Sequence, residues 1–339
     1  MSETRPVKSF VSAQQVAERA GVSRSAVSRT FTAGASVSET TRRKVMEAAE
    51  ALGYHVNHLA RGLIHDRSGI VCLIGVDLQS PYQAKILEAL TRRLQDIDKV
   101  AMVINTAGET ESVEAALRQT LNYRADATVV LSGSPAASLI ETCVANGQHV
   151  ILINRNDQHA GTEHIIVDNS PAAREAFAML RRAGCERIAV VSSQAGTSSL
   201  VSREQAFTAA AAEAGVTVSV VRAGPTAYAS GVEAARALLS RGERPDAAFC
   251  VTDLLACGFM DAARHEFRMN VPEDICVIGF DDIDQAGWAS YALTTFRQPI
   301  ETIAEHIAGL LASNEPVSAA PEPHYFQADP IWRRSVRPK

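Results

Sequence analysis

The sequence predicts a three-helix head followed by an α/β core of two doubly wound lobes. The head is indicated by closely spaced helix-capping patterns within the first 53 residues. The core is indicated beyond residue 68, where short apolar runs alternate with Ala- and Leu-rich stretches. Such alternation is typical of βαβ units and parallel sheets. The 339 residues are 46% hydrophobic and 21% charged, which excludes fibrous and wholly disordered classes.

The charge distribution separates these two parts. Residues 1–65 contain nine Lys or Arg and five Asp or Glu, a balance of +4. Residues 66–339 contain 24 basic and 33 acidic side chains, a balance of −9. A basic head on an acidic body predicts a polyanionic partner, such as nucleic acid, for the head alone.

The head begins with two short helices. Ser12 and Gln15 have the spacing of a capping box, and the helix that they start is predicted to stop at Gly21. Ser23 then caps a second helix, so the pair has the pattern of a helix-turn-helix. The second helix of this motif enters the major groove of DNA with its first residues.

A third helix is predicted between Ser38 and Gly53. The spacing of its apolar residues predicts one buried face, made of Val45, Met46, Ala49 and Leu52. The alternative interpretation of this region is a three-helix bundle with a solvated basic face and no DNA partner.

The second helix carries the candidate DNA contacts. Arg24 can donate a bidentate pair of hydrogen bonds to guanine, Ser25 can reach a base edge or a phosphate, and Ala26 can contact the methyl group of thymine. Residues further along the helix are placed for phosphate contacts, which position the protein without specifying sequence. The predicted contacts in the head are Ser23, Arg24, Ser25, Ala26, Ser28 and Arg29.

The head resembles that of the lactose-repressor (LacI/GalR) family over three segments, 16–29, 37–45 and 52–54. It departs from the family at Ala26, where the usual residue is Thr. Residues 54–63 are similar to the family's hinge helix, which implies a domain order of head 1–56, hinge 57–67 and core 68–339. The resemblance implies further DNA contacts in the hinge, with Leu63 as a wedge in the minor groove. These implied contacts are Asn57, His58, Ala60, Arg61 and Leu63.

One hinge position departs from the family. Val56 stands where the family usually has Pro, a change that is expected to loosen the start of the hinge helix.

The core carries the same resemblance. Its apolar runs predict strands at 70–76, 100–105, 127–131, 149–154, 187–192, 216–222, 247–251 and 276–280. The resemblance implies a periplasmic-binding-protein-like core, in which the chain passes between the lobes three times. The implied lobes are 68–167 with 297–323, and 168–296 with 324–339.

The resemblance also implies an effector site in the cleft between the lobes. Asp281 is expected to accept hydrogen bonds from hydroxyl groups, and Arg203 to donate to a hydroxyl pair or a carboxylate. Aromatic residues are expected to line the mouth or stack on a sugar ring. Two arginines among hydroxyl groups hint at a sugar acid or a phosphate. The implied effector contacts are Tyr82, Asn154, Arg155, Arg203, Thr252, Asp281 and Trp288.

The sequence contains no phosphate-binding, dinucleotide-binding or nucleophile-elbow motif, so no catalytic residue, cofactor or metal site is predicted. The six cysteines are dispersed without metal-ligand spacing. No segment has the pattern of a signal peptide or a membrane span, and a cytoplasmic location is expected.

The predicted function is an effector-responsive repressor that binds a near-palindromic operator as a homodimer. A dimer is expected because residues 325–339 show no leucine heptad of the kind that a tetramer helix needs. The alternative is a transcriptional activator, or an architectural DNA-binding protein without a ligand, that has the same head.

Overall fold

The computed structural model describes residues 10–32, 34–55, 67–106, 110–132, 135–155, 159–313, 318 and 322–338. Internal contacts divide the chain into two compact units, Met1–Ser68 and Gly69–Lys339, which we call the head and the core. Within the described ranges, the helices include none that is both long and apolar enough to cross a bilayer.

The head consists of three helices, α1 (Ala13–Ala20), α2 (Arg24–Thr30) and α3 (Glu39–Leu52). The predicted capping box starts α1. Ser12 Oγ accepts a hydrogen bond from the backbone N–H of Gln15 at 3.3 Å, and Gln15 Oε1 accepts one from the backbone N–H of Ser12 at 2.8 Å. The prediction of a helix-turn-helix is therefore confirmed.

Glycines end two of the head helices. Gly21 follows α1 with φ of 66°, and Gly53 follows α3 with φ of 65°. Both lie in the left-handed region, which a glycine adopts without steric cost. The predicted ends of these two helices are confirmed.

The three helices of the head share one apolar interior. Val16, Val27 and Val45, one from each helix, are fully buried. The sequence also predicted Met46 on the buried face of α3, but Met46 is half-exposed, and Ala48 is buried instead. A helix turns by 100° per residue, so the side chain next to Val45 points away, whereas the one three residues on lies on the same face.

The core contains parallel sheets. In the described residues its strands are β1 (Ile70–Val76), β2 (Val100–Thr106), β3 (Ala127–Val130), β4 (His149–Ile153), β5 (Thr162–Asp168), β6 (Ile188–Ser192), β7 (Ser219–Arg222), β8 (Ala247–Cys250), β9 (Cys276–Ile278), β10 (Thr295–Arg297), β11 (His324–Gln327) and β12 (Asp329–Ile331). The first lobe has a six-stranded sheet in the order β11-β5-β4-β3-β1-β2, and the second has four strands in the order β7-β6-β8-β9. An antiparallel pair, β10 with β12, forms a third, two-stranded sheet.

Helices cover both faces of these sheets. In the described part of the core they are α4 (Pro81–Asp96), α5 (Thr110–Asn122), α6 (Ala137–Ala145), α7 (Ser170–Arg182), α8 (Ser198–Glu213), α9 (Tyr228–Leu239), α10 (Asp253–His265), α11 (Asp284–Gly287) and α12 (Ile300–Ala312). One apolar cluster lies between the six-stranded sheet and α4 with α12, and a second lies between its other face and α5 with α6. A third cluster fills the second lobe. Two doubly wound lobes are therefore present, as predicted.

One lobe boundary differs from the prediction. The sequence assigned residues 324–339 to the second lobe, but β11 pairs in parallel with β5 in the sheet of the first lobe. The pairing places Phe326 against the apolar cluster beneath α12, which holds this strand in the first lobe. The chain therefore leaves the first lobe at Ala328, before β12 pairs with β10.

Helices α9 and α10 of the second lobe approach each other at backbone distance. A Cβ atom added at Gly231 would lie 2.1 Å from the carbonyl oxygen of Leu255, and one added at Gly258 would lie 2.0 Å from that of Tyr228. Only glycine permits this approach. Each helix follows a loop at the carboxyl end of the four-stranded sheet. The packing of the two helices therefore fixes the position of the loop that precedes each of them.

Candidate DNA interface and effector site

Helix α2 presents a polar face to solvent. Its apolar face is fixed by the buried Val27, and its last residue is held by Arg42 of α3, which donates to the carbonyl oxygen of Thr30 at 3.0 Å. Arg24, Ser25, Ser28 and Arg29 are exposed, and Ala26 is half-buried. The helix is therefore anchored at one face and free at the other, as a recognition helix must be.

The bonds on this exposed face are local. Ser23 Oγ caps α2 by accepting from the backbone N–H of Ala26 at 3.2 Å, and it lies 2.9 Å from Ser25 Oγ. Arg29 Nε donates to the carbonyl oxygen of Ser25 at 3.4 Å. Within the described residues, the Arg24 guanidinium makes no hydrogen bond or ion pair, so all its donors are available to a partner.

The hinge contacts lie outside the described residues. These are Asn57, His58, Ala60, Arg61 and Leu63, together with Val56. Their role in DNA binding stays a prediction.

A buried ion pair forms the centre of the candidate effector site. Arg203 of α8 and Asp281, which follows β9, are 3% and 7% exposed. Arg203 NH1 donates to Asp281 Oδ1 at 3.1 Å and to the carbonyl oxygen of Val251 at 2.8 Å, and Nε donates to Asn169 Oδ1 at 3.0 Å. The guanidinium also lies 3.7 Å from the centroid of the Phe280 ring. A charge removed from water in this way must be paired and hydrogen-bonded, and both conditions are met.

Asp281 is held in an unusual backbone conformation. Its φ of 115° lies in a region that non-glycine residues rarely adopt, and its N–H donates to the carbonyl oxygen of Phe296 at 2.9 Å. Gln298 Nε2 donates to the same Oδ1 atom that Arg203 contacts, at 2.6 Å. Both contacts use Oδ1, so Oδ2 remains as an acceptor for a ligand. Burial raises the pKa of Asp281, whereas Arg203 and Gln298 oppose that rise.

Tyr82, at the start of α4, brings the first lobe to this pair. Burial raises the pKa of its hydroxyl, the negative charge of Asp281 raises it further, and the positive charge of Arg203 lowers it. The phenol therefore stays protonated at neutral pH and can donate a hydrogen bond. Tyr82, Arg203 and Asp281 are the predicted effector residues that the structure brings together.

Two other predicted effector residues, Asn154 and Thr252, make hydrogen bonds that stabilise the fold. Asn154 follows β4 with φ of 54°, and its Oδ1 accepts from the backbone N–H of Val167 at 2.8 Å, which ties β4 to β5. Thr252 is buried and caps α10 through a hydrogen bond from the backbone N–H of Leu255 to Oγ1. Both residues lie at carboxyl ends of strands, where ligands bind in this kind of fold, but part of their hydrogen-bonding capacity is already used.

The roles of the last two predicted residues, Trp288 and Arg155, in effector binding stay predictions. Trp288 ends the short helix α11 with its side chain 56% exposed, and in the described residues no hydrogen bond or ring contact links it to Arg203. Arg155 is half-buried after β4.

Asp253, which sequence reasoning did not assign to the site, organises the loop behind Asp281. It is fully buried at the start of α10, and its carboxylate accepts from the N–H of Ile283 at 2.9 Å and from Thr295 Oγ1 at 2.6 Å. A Cβ atom at Gly279 would lie 2.1 Å from Asp253 Oδ1. The Gly-Phe-Asp-Asp segment therefore needs its glycine in order to pass this carboxylate.

Lys85 and Asp282 connect further segments to the same loop. Lys85 Nζ of α4 donates to the carbonyl oxygen of Asp282 at 2.9 Å and pairs with Asp284 at 2.8 Å. Although burial opposes it, hydrogen bonds from Arg297 and Arg333 lower the pKa of Asp282. The loop after β9 is thus held by α4 of the first lobe and by the last part of the chain.

The neighbouring strand ends add hydroxyl groups. Ser193, after β6, lies with its Oγ 2.8 Å from Thr226 Oγ1, which precedes α9. Hydroxyl, carboxylate and guanidinium groups together can bind a polar small molecule.

A helix-turn-helix head with a two-lobed α/β core is the architecture of ligand-responsive transcriptional regulators. Residues 13–57 match the sequence profile of the bacterial regulatory proteins of the lacI family, and residues 177–336 match that of the periplasmic binding protein-like domain. The chain belongs to the LacI/GalR family of regulators, as its motifs predicted.

Known proteins resemble the chain over most of its length. The HTH-type transcriptional regulator AscG of Escherichia coli (strain K12) is 28% identical over 302 residues, which cover 88% of this chain and 90% of that protein. The regulator GalR of the same strain is 29% identical over 309 residues, 90% of each chain. A crystal structure of the Lac repressor dimer bound to operator and the anti-inducer ONPF has a TM-score of 0.87 at 22% identity, covering 97% of this chain and all of that one. That likeness establishes the fold, and these relatives are regulators rather than enzymes.

Proposed function

We propose that this chain is a cytoplasmic transcriptional repressor that binds a near-palindromic operator as a homodimer and responds to a sugar-like effector. The observation that carries the proposal is the presence, in one chain, of an anchored helix α2 with a free Arg24 and of a buried Arg203–Asp281 pair. The first supplies sequence recognition, and the second supplies a site whose occupation can be coupled to it.

The site chemistry favours a neutral polyhydroxylated effector over an anionic one. Arg203 and Asp281 neutralise each other, which removes the net positive charge that a sugar acid or phosphate would need. What remains is an acceptor at Asp281 Oδ2 and the NH2 group of Arg203, which makes no hydrogen bond to the described residues. A neighbouring acceptor and donor match a pair of sugar hydroxyls, and Tyr82 can supply another donor.

The first lobe offers a surface for a second copy of the chain. A groove of about 420 Å³ on α4 is lined by apolar and long side chains, among them Leu78 and Leu87. Beside it, the edge strand β2 exposes Val100 and Val103, which are 64% and 43% exposed. Exposed apolar residues on an uncovered sheet edge are a liability unless a partner covers them. The Lac repressor bound to operator and ONPF is a dimer, and its likeness to this chain supports the same assembly here.

The dimer can be tested by sedimentation of the full-length protein. Val103→Glu should dissociate the dimer into monomers, because a carboxylate would be buried against its own copy. Val201→Glu, at a comparably exposed valine of α8 in the second lobe, is the matched control and should leave the dimer intact. A tetramer, or a monomeric wild type, would overturn the proposed assembly.

The whole function is tested in three stages. First, selection from random DNA with the full chain should yield a near-palindromic site. Second, a panel of sugars, sugar alcohols and sugar acids is screened for thermal stabilisation, since a ligand that binds only the native state raises stability. Third, the stabilising compound should change affinity for the selected site in wild type but not in Asp281→Asn, which keeps Oδ1 as an acceptor and removes the charge. Gln205→Ala on the same helix as Arg203 is the control and should respond as wild type does.

The outcomes separate the candidate functions. Failure to select any sequence would refute the DNA function. A selected sequence with no stabilising ligand would favour the architectural DNA-binding alternative. A reporter driven through the selected site distinguishes repression from activation by the sign of its response.

A further inference from the structure

Two cysteines of the second lobe differ from the other four. Cys185 follows α7 and Cys276 begins β9, and Arg337 donates hydrogen bonds to both of their sulfurs although 90 residues lie between the two cysteines in sequence. Both side chains are fully buried. Among the described residues, the other four sulfurs make no hydrogen bond to one another. Burial is the main cause that raises the pKa of each of these four thiols.

Arg337 covers this dithiol. Its NH2 group donates to Cys185 Sγ at 3.1 Å, and its backbone N–H donates to Cys276 Sγ at 3.4 Å. The rest of the guanidinium donates to the carbonyl oxygens of Pro272 at 3.0 Å and Ala183 at 3.4 Å. The guanidinium is therefore held beside Cys185 by bonds to two segments of the lobe, 183–185 and 272–273, while the backbone N–H of the same residue contacts Cys276.

This arrangement favours a thiolate. The neighbouring Cys185 thiol lowers the pKa of Cys276 to about 7; burial opposes this, and the N–H and positive charge of Arg337 assist it. The thiolate is the nucleophilic form of cysteine, and a neighbouring thiol and cation are the surroundings that make a cysteine reactive. A structural thiol buried in an apolar core has neither.

We propose that Cys185 and Cys276 form a reversible redox site, at which a hydroperoxide converts the two thiols into an intramolecular disulfide. The Cys276 thiolate attacks the O–O bond, forms an S–O bond and releases an alkoxide or hydroxide, which takes up a proton. The Cys185 sulfur then displaces the hydroxyl of this sulfenic acid, forms the S–S bond and gives up its proton, so that water leaves. Two thiols lose two electrons in total, and the peroxide bond accepts them.

The location gives the crosslink a structural consequence. Cys185 lies beyond the end of α7, whose start is preceded by Asn169, and Cys276 begins the strand that leads to Asp281. Asn169 and Asp281 are both hydrogen-bond partners of Arg203. A disulfide would thus join the far ends of two elements that hold the candidate effector site.

The test counts thiols in the full-length protein. After complete reduction, the folded chain is treated with a few equivalents of hydrogen peroxide, denatured, and titrated with a thiol reagent. The six free thiols should fall to four, a non-reducing peptide map should show a Cys185–Cys276 crosslink, and dithiothreitol should restore all six. The reaction rate in wild type should rise through a midpoint near pH 7.

Variants make the test specific. Cys185→Ala and Cys276→Ala should each abolish the crosslink, whereas Cys257→Ala, at a buried thiol of α10, should retain it. Peroxide treatment that leaves six thiols in the folded wild type, or that crosslinks other cysteines, would overturn the proposal. A crosslink found only after denaturation would overturn it as well, since it would show pairing in the unfolded chain.

Discussion

The head and the core both place an arginine at the centre of a candidate site, but they use it in opposite ways. Arg24 is exposed on α2 and makes no bond to the described residues, whereas Arg203 is buried and donates to three partners. In the head, the recognition group is therefore separate from the interactions that fold the domain. In the core, the groups that would bind the effector are part of the folding network, so affinity and stability change together.

The largest effect is expected where this network is broken. Asp281→Ala should lower the free energy of unfolding of the core by about 3–5 kcal/mol, because it leaves the buried Arg203 charge without its partner. Urea denaturation monitored by circular dichroism measures the loss. Asp284→Ala, which removes an exposed carboxylate three residues away, should cost less than about 1 kcal/mol. Equal losses in the two variants would show that the buried pair is not a stabilising centre.

The two regions also use glycine differently, and this gives the second test. In the head, Gly21 and Gly53 have open space around them and serve positive φ angles, whereas Gly258 in the core is required by the close approach of α9. Gly258→Ala should destabilise the core by an amount at the upper end of the range of about 1–3 kcal/mol that overpacking costs. Gly309→Ala, at a helical glycine of α12 with no atom within 4 Å, should instead stabilise by about 0.5–1 kcal/mol. Thermal unfolding of both variants shows whether packing or helix propensity determines the effect of a Gly→Ala substitution at each position.

The third test asks whether recognition in the head is separable from folding. Arg24→Ala should leave the unfolding free energy unchanged and reduce discrimination at one operator position by about 1–3 kcal/mol. Binding to the selected operator and to its single-base variants measures this. Arg29→Ala, also on the exposed side of α2, should weaken binding to all sequences alike. It should also reduce the slope of log K against log salt concentration by about 1, the loss expected for one phosphate contact. If Arg24→Ala also weakens all sequences alike, Arg24 contacts phosphate.

The fold followed from the sequence where local signals decide it. Capping patterns defined the starts of the three head helices, glycines defined the ends of α1 and α3, and each predicted apolar run of the core contains a strand. Four strands, β5, β10, β11 and β12, had no such signal. These segments are short or carry polar residues. They form strands because their backbone groups can hydrogen-bond to a neighbouring strand of the fold. The mistaken assignment of residues 324–327 has the same cause, since pairing with β5 is a tertiary event.

The two candidate sites were predictable to different degrees, because one depends on local spacing and the other on contacts between distant segments. The exposed contacts of α2 lie on one helix, so their spacing alone defines a face. The partners of Arg203 come from distant segments, and Asn169 carried no sequence signal because only the fold brings the start of α7 to α8. The roles of Gln298 and Asp253 depend on bonds to Asp281 and to the loop after β9, which residue spacing does not indicate.

The smallest expected effect concerns acid, which should act on the core through half-buried histidines. Burial lowers the pKa of His149 and of His306, and the neighbouring His324 lowers that of His306 further, whereas Glu163 opposes both shifts. A histidine whose pKa is lower in the folded state binds protons preferentially when unfolded, so its stabilising contribution is complete above pH 6.5 and is lost as the pH falls below that value. Each group contributes at most about 1.4 kcal/mol per pH unit. Urea unfolding between pH 7.5 and about 5 should therefore show a slope that His306→Leu reduces. An unchanged slope in His306→Leu would show that this acid sensitivity arises elsewhere.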